Sequence, residues 1–485
     1  MDSLRRTGHA AATGLDLLMT GKLTAVTMHD DKARYVMTVA GEIAAFVTRQ
    51  SYADLPPKAI EYAQMLISST IASASLGSTL GSSRIIRALE VERGGKADAT
   101  LWFGAAEKLP VAAAARVNAL MSDAAASDDS DLRNIVHSGT TACATSLAVG
   151  EKTGCSGQDV LAAIVLGYEV AGRMNGAMIG GLQKKGFHGC IVAAFAGAVS
   201  AARLMKLSQP QMAQAIALIA TSMGGLHAAA NTSVAREYHA GLAAMLGVNA
   251  AQAAGMGFVA EENILENERG FFEVYGNKPD VAEVTRDFGK RWSILTDMGI
   301  KLVPGGHPSH STAEAAANAA RAGNVSPDEV ETITISRPGF KALTGPQYPT
   351  DLIGVAHSPA YFAAAGVADR DFSWAHAFED KINNPAIRGL LAKVRAGDPP
   401  TENLERYKSG ATVTIRTRDG RSYSSTVYAP RGAAILGIAW ADVEGKYRTL
   451  APFAKFSGEN LETSIKVIRN FREVGKVSEL VGLLR

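Results

Sequence analysis

The chain has 485 residues, and its 49 lysines and arginines nearly balance 47 aspartates and glutamates, for a net charge of +2. That length supports more than one hydrophobic core, while the dispersed, near-neutral charge excludes a general nucleic-acid binder. Glycine, serine and charged residues break every apolar run short of membrane-spanning length, and three widely spaced cysteines, Cys143, Cys155 and Cys190, imply a reducing compartment rather than a disulfide framework.

In chain order, residues 1–33 read as an N-terminal tail. Arg5-Arg6 ahead of the partly apolar stretch 10–19 resembles a twin-arginine export signal, but His9, Asp16 and Lys22 spoil it. The expectation is a cytoplasmic protein, with export as the alternative. From 34 to 297 the pattern is helical. Apolar residues recur at helical spacing over 36–47, Pro56-Pro57 opens another helix, and segments 140–151 and 158–171 flank Gly154-Cys155-Ser156-Gly157. Residues 191–207, 210–220 and 236–254 continue this layer with small side chains. The stretch 122–139 is polar and acidic and reads as a loop.

After residue 297 the period changes. Residues 330–336 and 412–417 alternate as strands, and the second meets 421–427 across Asp419-Gly420, a hairpin signal. Helical segments over 311–322 and 384–394 intervene, so 298–432 reads as an α+β domain. From 440 onward the chain is helical again, and 433–485 is expected to return to the first domain. The predicted fold class is mainly α: a large all-helical domain interrupted by a smaller α+β lid domain, with a cleft between them.

Five segments concentrate polar chemistry. Gly186-Phe187-His188-Gly189 precedes a long helix, where an imidazole would meet unpaired N–H groups and the positive end of the helix dipole; a histidine that only packs is the alternative. In the loop 127–139, Asp128, Asp129 and Asp131 stand close enough in sequence to orient His137 and set its protonation; a solvated acidic loop is the alternative. Arg236 and His239 open a helix, where a guanidinium fork suits a carboxylate, or pairs with Glu237 at the surface. Lys301, His307 and His310 lie where the pattern shifts, at a cleft or in a plain linker. Tyr361, in His357-Ser358-Pro359-Ala360-Tyr361, would donate a hydrogen bond or move a proton, or simply pack. Together these residues suit a small polycarboxylate whose carbon next to a carboxylate loses a proton. HExxH, EF-hand, P-loop and C-x2-C patterns are missing, so no metal and no organic cofactor is called for.

The same segments resemble the MmgE/PrpD family, which includes 2-methylcitrate dehydratases, cis-aconitate decarboxylases and an iminodisuccinate epimerase. The likeness runs from about residue 36 to 484 and is densest over 186–266. The resemblance implies a helical domain with an α+β lid, a homodimer, cofactor-independent chemistry, and a catalytic set of His137, His188, Lys301 and Tyr361; the charge balance and short apolar runs already give the expectation of no nucleic-acid or membrane partner. It places Asp128, Asp129 and Asp131 beside His137, Arg236 and His239 at the substrate, and His310 on the lid side. Arg236 stands where many members have lysine, Ser138 replaces a proline, Asp131 stands near the family's Thr or His, and Gly306 replaces a histidine of the decarboxylase branch. The expected activity is hydro-lyase removal of water from a 2-methylcitrate-like acid; decarboxylation, epimerisation and non-catalytic binding of small acids are the alternatives.

Overall fold

The computed structural model describes residues 37–104 and 107–485. The tail and the twin-arginine-like stretch fall outside the described residues. Residues 38–485 form one compact unit, and the architecture is mainly α. Among the described residues, no helix is long and apolar enough to cross a membrane.

Small residues explain how the helices pack. Cys190–Leu204 and Ala235–Gly255 cross with almost no side chain between them. A Cβ on Gly247 would stand 2.7 Å from the backbone nitrogen of Ala198. Neighbouring helices are stopped by local chemistry. Gly157–Ala177 starts at a capping box, in which the Ser156 hydroxyl accepts from the Asp159 N–H and the Asp159 carboxylate accepts from the Ser156 N–H. Ser138–Thr153 ends at Gly154, whose left-handed backbone (φ 68°) suits glycine. Pro57–Gly77 begins with proline at its first turn, where no N–H is needed.

Two apolar clusters result. The larger combines residues between Ala40 and Ile300 with residues between Ala434 and Leu484, so the last helices, including Trp440–Leu450 and Gly458–Arg469, pack against the first. The smaller lies between Ala313 and Ile415. There, a four-stranded sheet has the order Val394–Ala396, Val330–Ser336, Ala411–Thr417, Ser422–Val427; the first pair is parallel and the others antiparallel. Val413 and Ile415 point to the core, while Thr412 and Thr414 face outward and pair with Thr426 and Ser424 across the hairpin. The helices His307–Ala322 and Pro359–Asp369 supply the rest of this cluster.

Two sequence expectations change. The stretch 122–139 is not simply a loop: it holds the strand Asp129–Asp131, which pairs antiparallel with Met298–Ile300. Met298 and Ile300 also belong to the larger cluster, so the α+β part begins after them and not at 298. Alternation could not show this, because three-residue strands carry too few residues for a period.

The close helix crossing has a direct test. Gly247→Ala forces backbone apart and is expected to cost about 1–3 kcal/mol, read as a lower urea midpoint with an unchanged m-value.

Candidate active site

The short strand pair builds the centre of the site. Its register sets Asp129 opposite Ile300, and the Lys301 N–H donates to the Asp128 carbonyl at 3.2 Å. The side chains follow: Lys301 Nζ donates to Asp128 Oδ1 at 2.7 Å, with both groups buried. The second oxygen, Asp128 Oδ2, lies 3.2 Å from His137 Nδ1 and accepts from the Thr140 hydroxyl at 3.1 Å. Burial opposes charge on Asp128, but His137 and Lys301 beside it hold the carboxyl well below the usual carboxylate range. Asp129 accepts from the N–H groups of Gly139 and Thr140, both at 2.9 Å, at the start of the helix Ser138–Thr153. Its own carboxyl is pushed up to about 6, first by burial and then by the Asp128 charge. Glycine at 139 leaves the Asp129 carboxyl in place, since a Cβ there would lie 2.7 Å from it and displace it.

His137 precedes that helix, and its Nδ1 lies 2.5 Å from the Asp129 carbonyl oxygen. A carbonyl only accepts, so Nδ1 carries the hydrogen and Nε2 remains for a ligand. His188 is brought alongside by a second local pairing, in which its N–H donates to the Gly225 carbonyl and the His227 N–H donates to the Gly186 carbonyl. Gly189 lets the 135–136 segment pass close by; a Cβ there would meet Val136 Cγ2 at 3.0 Å and the Ile135 carbonyl at 3.2 Å. Burial, then the neighbouring His137, His239 and Arg236, hold the His188 imidazole neutral, well below its ordinary value.

These groups line a cavity of about 730 Å³ to which both parts of the chain contribute. His137, His188, Arg236 and Lys301 come from the expected set. Arg236 is less free than a ligand clamp requires: Nε and Nη2 already hold the Asp123 carboxylate and the carbonyls of Asp123 and Ala124. Nη1 makes no hydrogen bond among the described residues.

Other expected residues lie elsewhere. Tyr361 is fully buried in the smaller apolar cluster, edge-on to Phe372, and its hydroxyl donates to the His376 carbonyl at 3.1 Å. It does not line the cavity, because its position on Pro359–Asp369 faces the core of the α+β part. Asp131 is also outside, gripped by Arg133 through Nε at 3.0 Å and Nη2 at 2.6 Å, since alternation along the strand turns it away from Asp128. His310 lies behind Gly305, with its Nε2 3.3 Å from the Gly305 carbonyl, on a separate cavity of about 410 Å³; burial pushes it down to about 3. His239 stands behind His188, ring centres 5.2 Å apart, away from the main cavity.

The cavity also holds residues that sequence reasoning missed: Gln183, His227, Asn231 and Arg337. The signals were slight: His227 follows the Gly224-Gly225 pair, and Arg337 follows an alternating strand directly. Arg337 donates to the Pro308 carbonyl at 2.8 Å and lies over the Phe340 ring. His357, seen in sequence only as part of the Tyr361 motif, lines the cavity with Nδ1 donating to the Ile353 carbonyl at 2.9 Å. Gly306 is sterically required, as a Cβ there would stand 2.5 Å from the Ala356 carbonyl. The site therefore combines cations that attract carboxylates with His188, His227 and His357, whose imidazoles burial pushes below their ordinary value.

The chain is similar to known proteins along most of its length. The model of the MmgE/PrpD N-terminal domain matches residues 41–284, and that of the MmgE/PrpD C-terminal domain matches residues 304–470. A cis-aconitate decarboxylase from Homo sapiens is 27% identical over 446 residues, covering 89% of this chain and 91% of that protein. One from Aspergillus terreus is 27% identical over 443 residues, covering 85% and 89%. One from Mus musculus is 26% identical over 340 residues, covering 68% and 69%.

Two variants test the geometry. Asp128→Asn strands a buried ammonium and an imidazole, and is expected to lose about 3–5 kcal/mol at neutral pH. The folded Asp128 carboxyl is depressed, so its stabilisation is present above the unfolded value and is lost as pH falls through the folded one; the gap between wild type and variant should narrow below about pH 4. Urea melts from pH 7 to pH 3 measure it. Tyr361→Phe should cost about 0.5–1.5 kcal/mol of stability while leaving kcat within about twofold, because only one buried hydrogen bond is lost; a hundredfold fall in kcat would return the hydroxyl to the chemistry.

Proposed function

Because the chain belongs to the MmgE/PrpD family, we propose that it is a cofactor-independent decarboxylase of cis-aconitate or a close tricarboxylate. The observation that carries this reading is the Lys301–Asp128–His137 cluster facing a cavity shared with neutral His188, in a chain whose relatives along nearly its full length are named cis-aconitate decarboxylases. This replaces the dehydration expected first from sequence, and makes the enzyme a carbon–carbon lyase.

The reaction needs three things from the protein. Cations must hold the carboxylates that stay, a site must stabilise the charge that develops, and an acid must deliver one proton. In cis-aconitate the bond between the methylene carbon and its carboxylate breaks, and CO2 leaves. The freed pair forms a new double bond to the central carbon. The original double-bond pair moves to the far carbon and spreads into its carboxylate. A proton added at that carbon completes a methylene-bearing dicarboxylate.

Lys301 and Arg337 approach from different parts of the chain and suit the two retained carboxylates. His137 is the acid: its Nδ1–H is fixed by the Asp129 carbonyl, the Asp128 carboxylate balances the charge of the doubly protonated ring, and Nε2 delivers the proton. His188, kept neutral by burial, supplies a hydrogen bond without adding another charge. His357 places an imidazole on the same cavity as Gly306, where the decarboxylase branch carries a histidine.

The test follows product by NMR with purified protein, cis-aconitate and 2-methylcitrate in parallel. CO2 release from cis-aconitate with one solvent deuteron retained in the product is expected. His137→Gln and His188→Ala should each lower kcat/KM at least about 100-fold. Dehydration of 2-methylcitrate with cis-aconitate untouched would overturn the proposal.

A further inference from the structure

Behind the cleft face of His188 lies a second arrangement that the proposed reaction does not use. Cys190 opens the helix Cys190–Leu204 two residues after His188, and His239 comes from the first turns of Ala235–Gly255. One ligand atom from each of His188, Cys190 and His239 lies within 4.8 Å of the other two. The Nδ1 atoms of both histidines are buried and have no hydrogen-bond partner among the described residues. Among the described residues, the Cys190 thiol makes only long contacts, 3.7 Å to the Gly224 carbonyl and 3.9 Å to the His188 carbonyl. Gly225 keeps the space between them clear: a Cβ there would stand 2.8 Å from Cys190 Sγ and 3.3 Å from His239 Nδ1. Two unpaired imidazole nitrogens and a thiol around a glycine-lined gap make a donor set suited to a borderline-soft cation.

We propose that His188, Cys190 and His239 form a zinc site, whose occupation withdraws His188 from the cleft. Two nitrogens and one sulfur leave the fourth tetrahedral position for water or a carboxylate. Tetrahedral zinc with zinc–nitrogen bonds of about 2.0–2.1 Å and a zinc–sulfur bond of about 2.3 Å places its ligand atoms roughly 3.4–3.6 Å apart, and here the three lie within 4.8 Å of one another. The Cys190 thiol gives up its proton to solvent as the metal–sulfur bond forms, and no oxidant or reductant is involved. The inhibitory consequence rests on the reading of His188 as a working residue of the cleft; the metal site itself does not.

Cobalt(II) titrated into the full chain is the first measurement, because cobalt takes zinc's place and reports its ligands by absorption. The expected result is one ion per chain, intense bands of tetrahedral cobalt and a thiolate-to-cobalt charge-transfer band, all erased by added zinc. Cys190→Ser should lose the charge-transfer band and bind at least about 10–100-fold more weakly, a loss no smaller than outer-shell changes cause. His239→Ala, at a half-buried position, gives the same weakening if Cys190→Ser fails to fold. In parallel, zinc should suppress wild-type turnover of cis-aconitate and leave Cys190→Ser, whose metal-free rate is unchanged, active at the same concentration. Octahedral cobalt without the charge-transfer band, or equal affinity in wild type and variants, overturns the site. Tight binding without suppression overturns the inhibitory consequence. An intact cobalt site in a protein that leaves cis-aconitate untouched overturns the substrate reading alone.

Discussion

A carboxylate taken out of water must be paired, and the candidate site is organised around Asp128. Its two oxygens face an ammonium from the segment after Met298–Ile300 and an imidazole and a hydroxyl from the turn into the helix Ser138–Thr153. Each partner is held by backbone geometry: Lys301 by the strand pair, His137 by the Asp129 carbonyl, Thr140 by the helix that starts at Ser138. The C-terminal helix Trp440–Leu450 is tied in from below, where buried Lys446 donates to the Ser127 carbonyl and to the Ser69 hydroxyl at 2.7 Å. Burial lowers that lysine to about 7. Desolvation is costly for every member of this network, so satisfaction of one charge constrains the others.

Alanine and glycine make such placement workable. Helices that touch through small residues leave their backbones little room to shift, so the loops at their ends present side chains in fixed positions. Gly139 and Gly189 extend the principle into the site, where each removes the one Cβ that would displace a neighbour. Gly306 does the same on the other wall. A histidine at that position would collide with the Ala356 carbonyl, and His357 supplies an imidazole to the cavity from the adjoining turn.

The resulting cavity combines fixed cations with the imidazoles of His188, His227 and His357, which burial pushes toward the neutral form. That combination attracts a polyanion while leaving nitrogen lone pairs available. The same lone pairs explain why one imidazole can serve two masters: His188 belongs to the cleft on one side and to the Cys190–His239 group on the other.

Much of this was legible in the sequence. Long periodic segments and the Asp-Gly hairpin announced helices and sheet, because periods of 3.6 and 2 survive without tertiary help. The Gly-Phe-His-Gly turn, the acidic loop and Lys301 carried their chemistry in residue type and spacing, and the family resemblance followed from them. Tertiary structure decided which of these groups meet. Tyr361 and His310 belong to segments that resemble family motifs yet face other interiors, Asp131 is turned aside by strand alternation, and the guanidinium of Arg236 is largely committed to Asp123. His227, Asn231 and Arg337 entered the cavity from segments with little local signal. Sequence determines which side chains are available and the local backbone period. Whether a side chain reaches a cleft depends on pairings between residues more than a hundred positions apart, such as Asp129 with Ile300, and no local pattern encodes those.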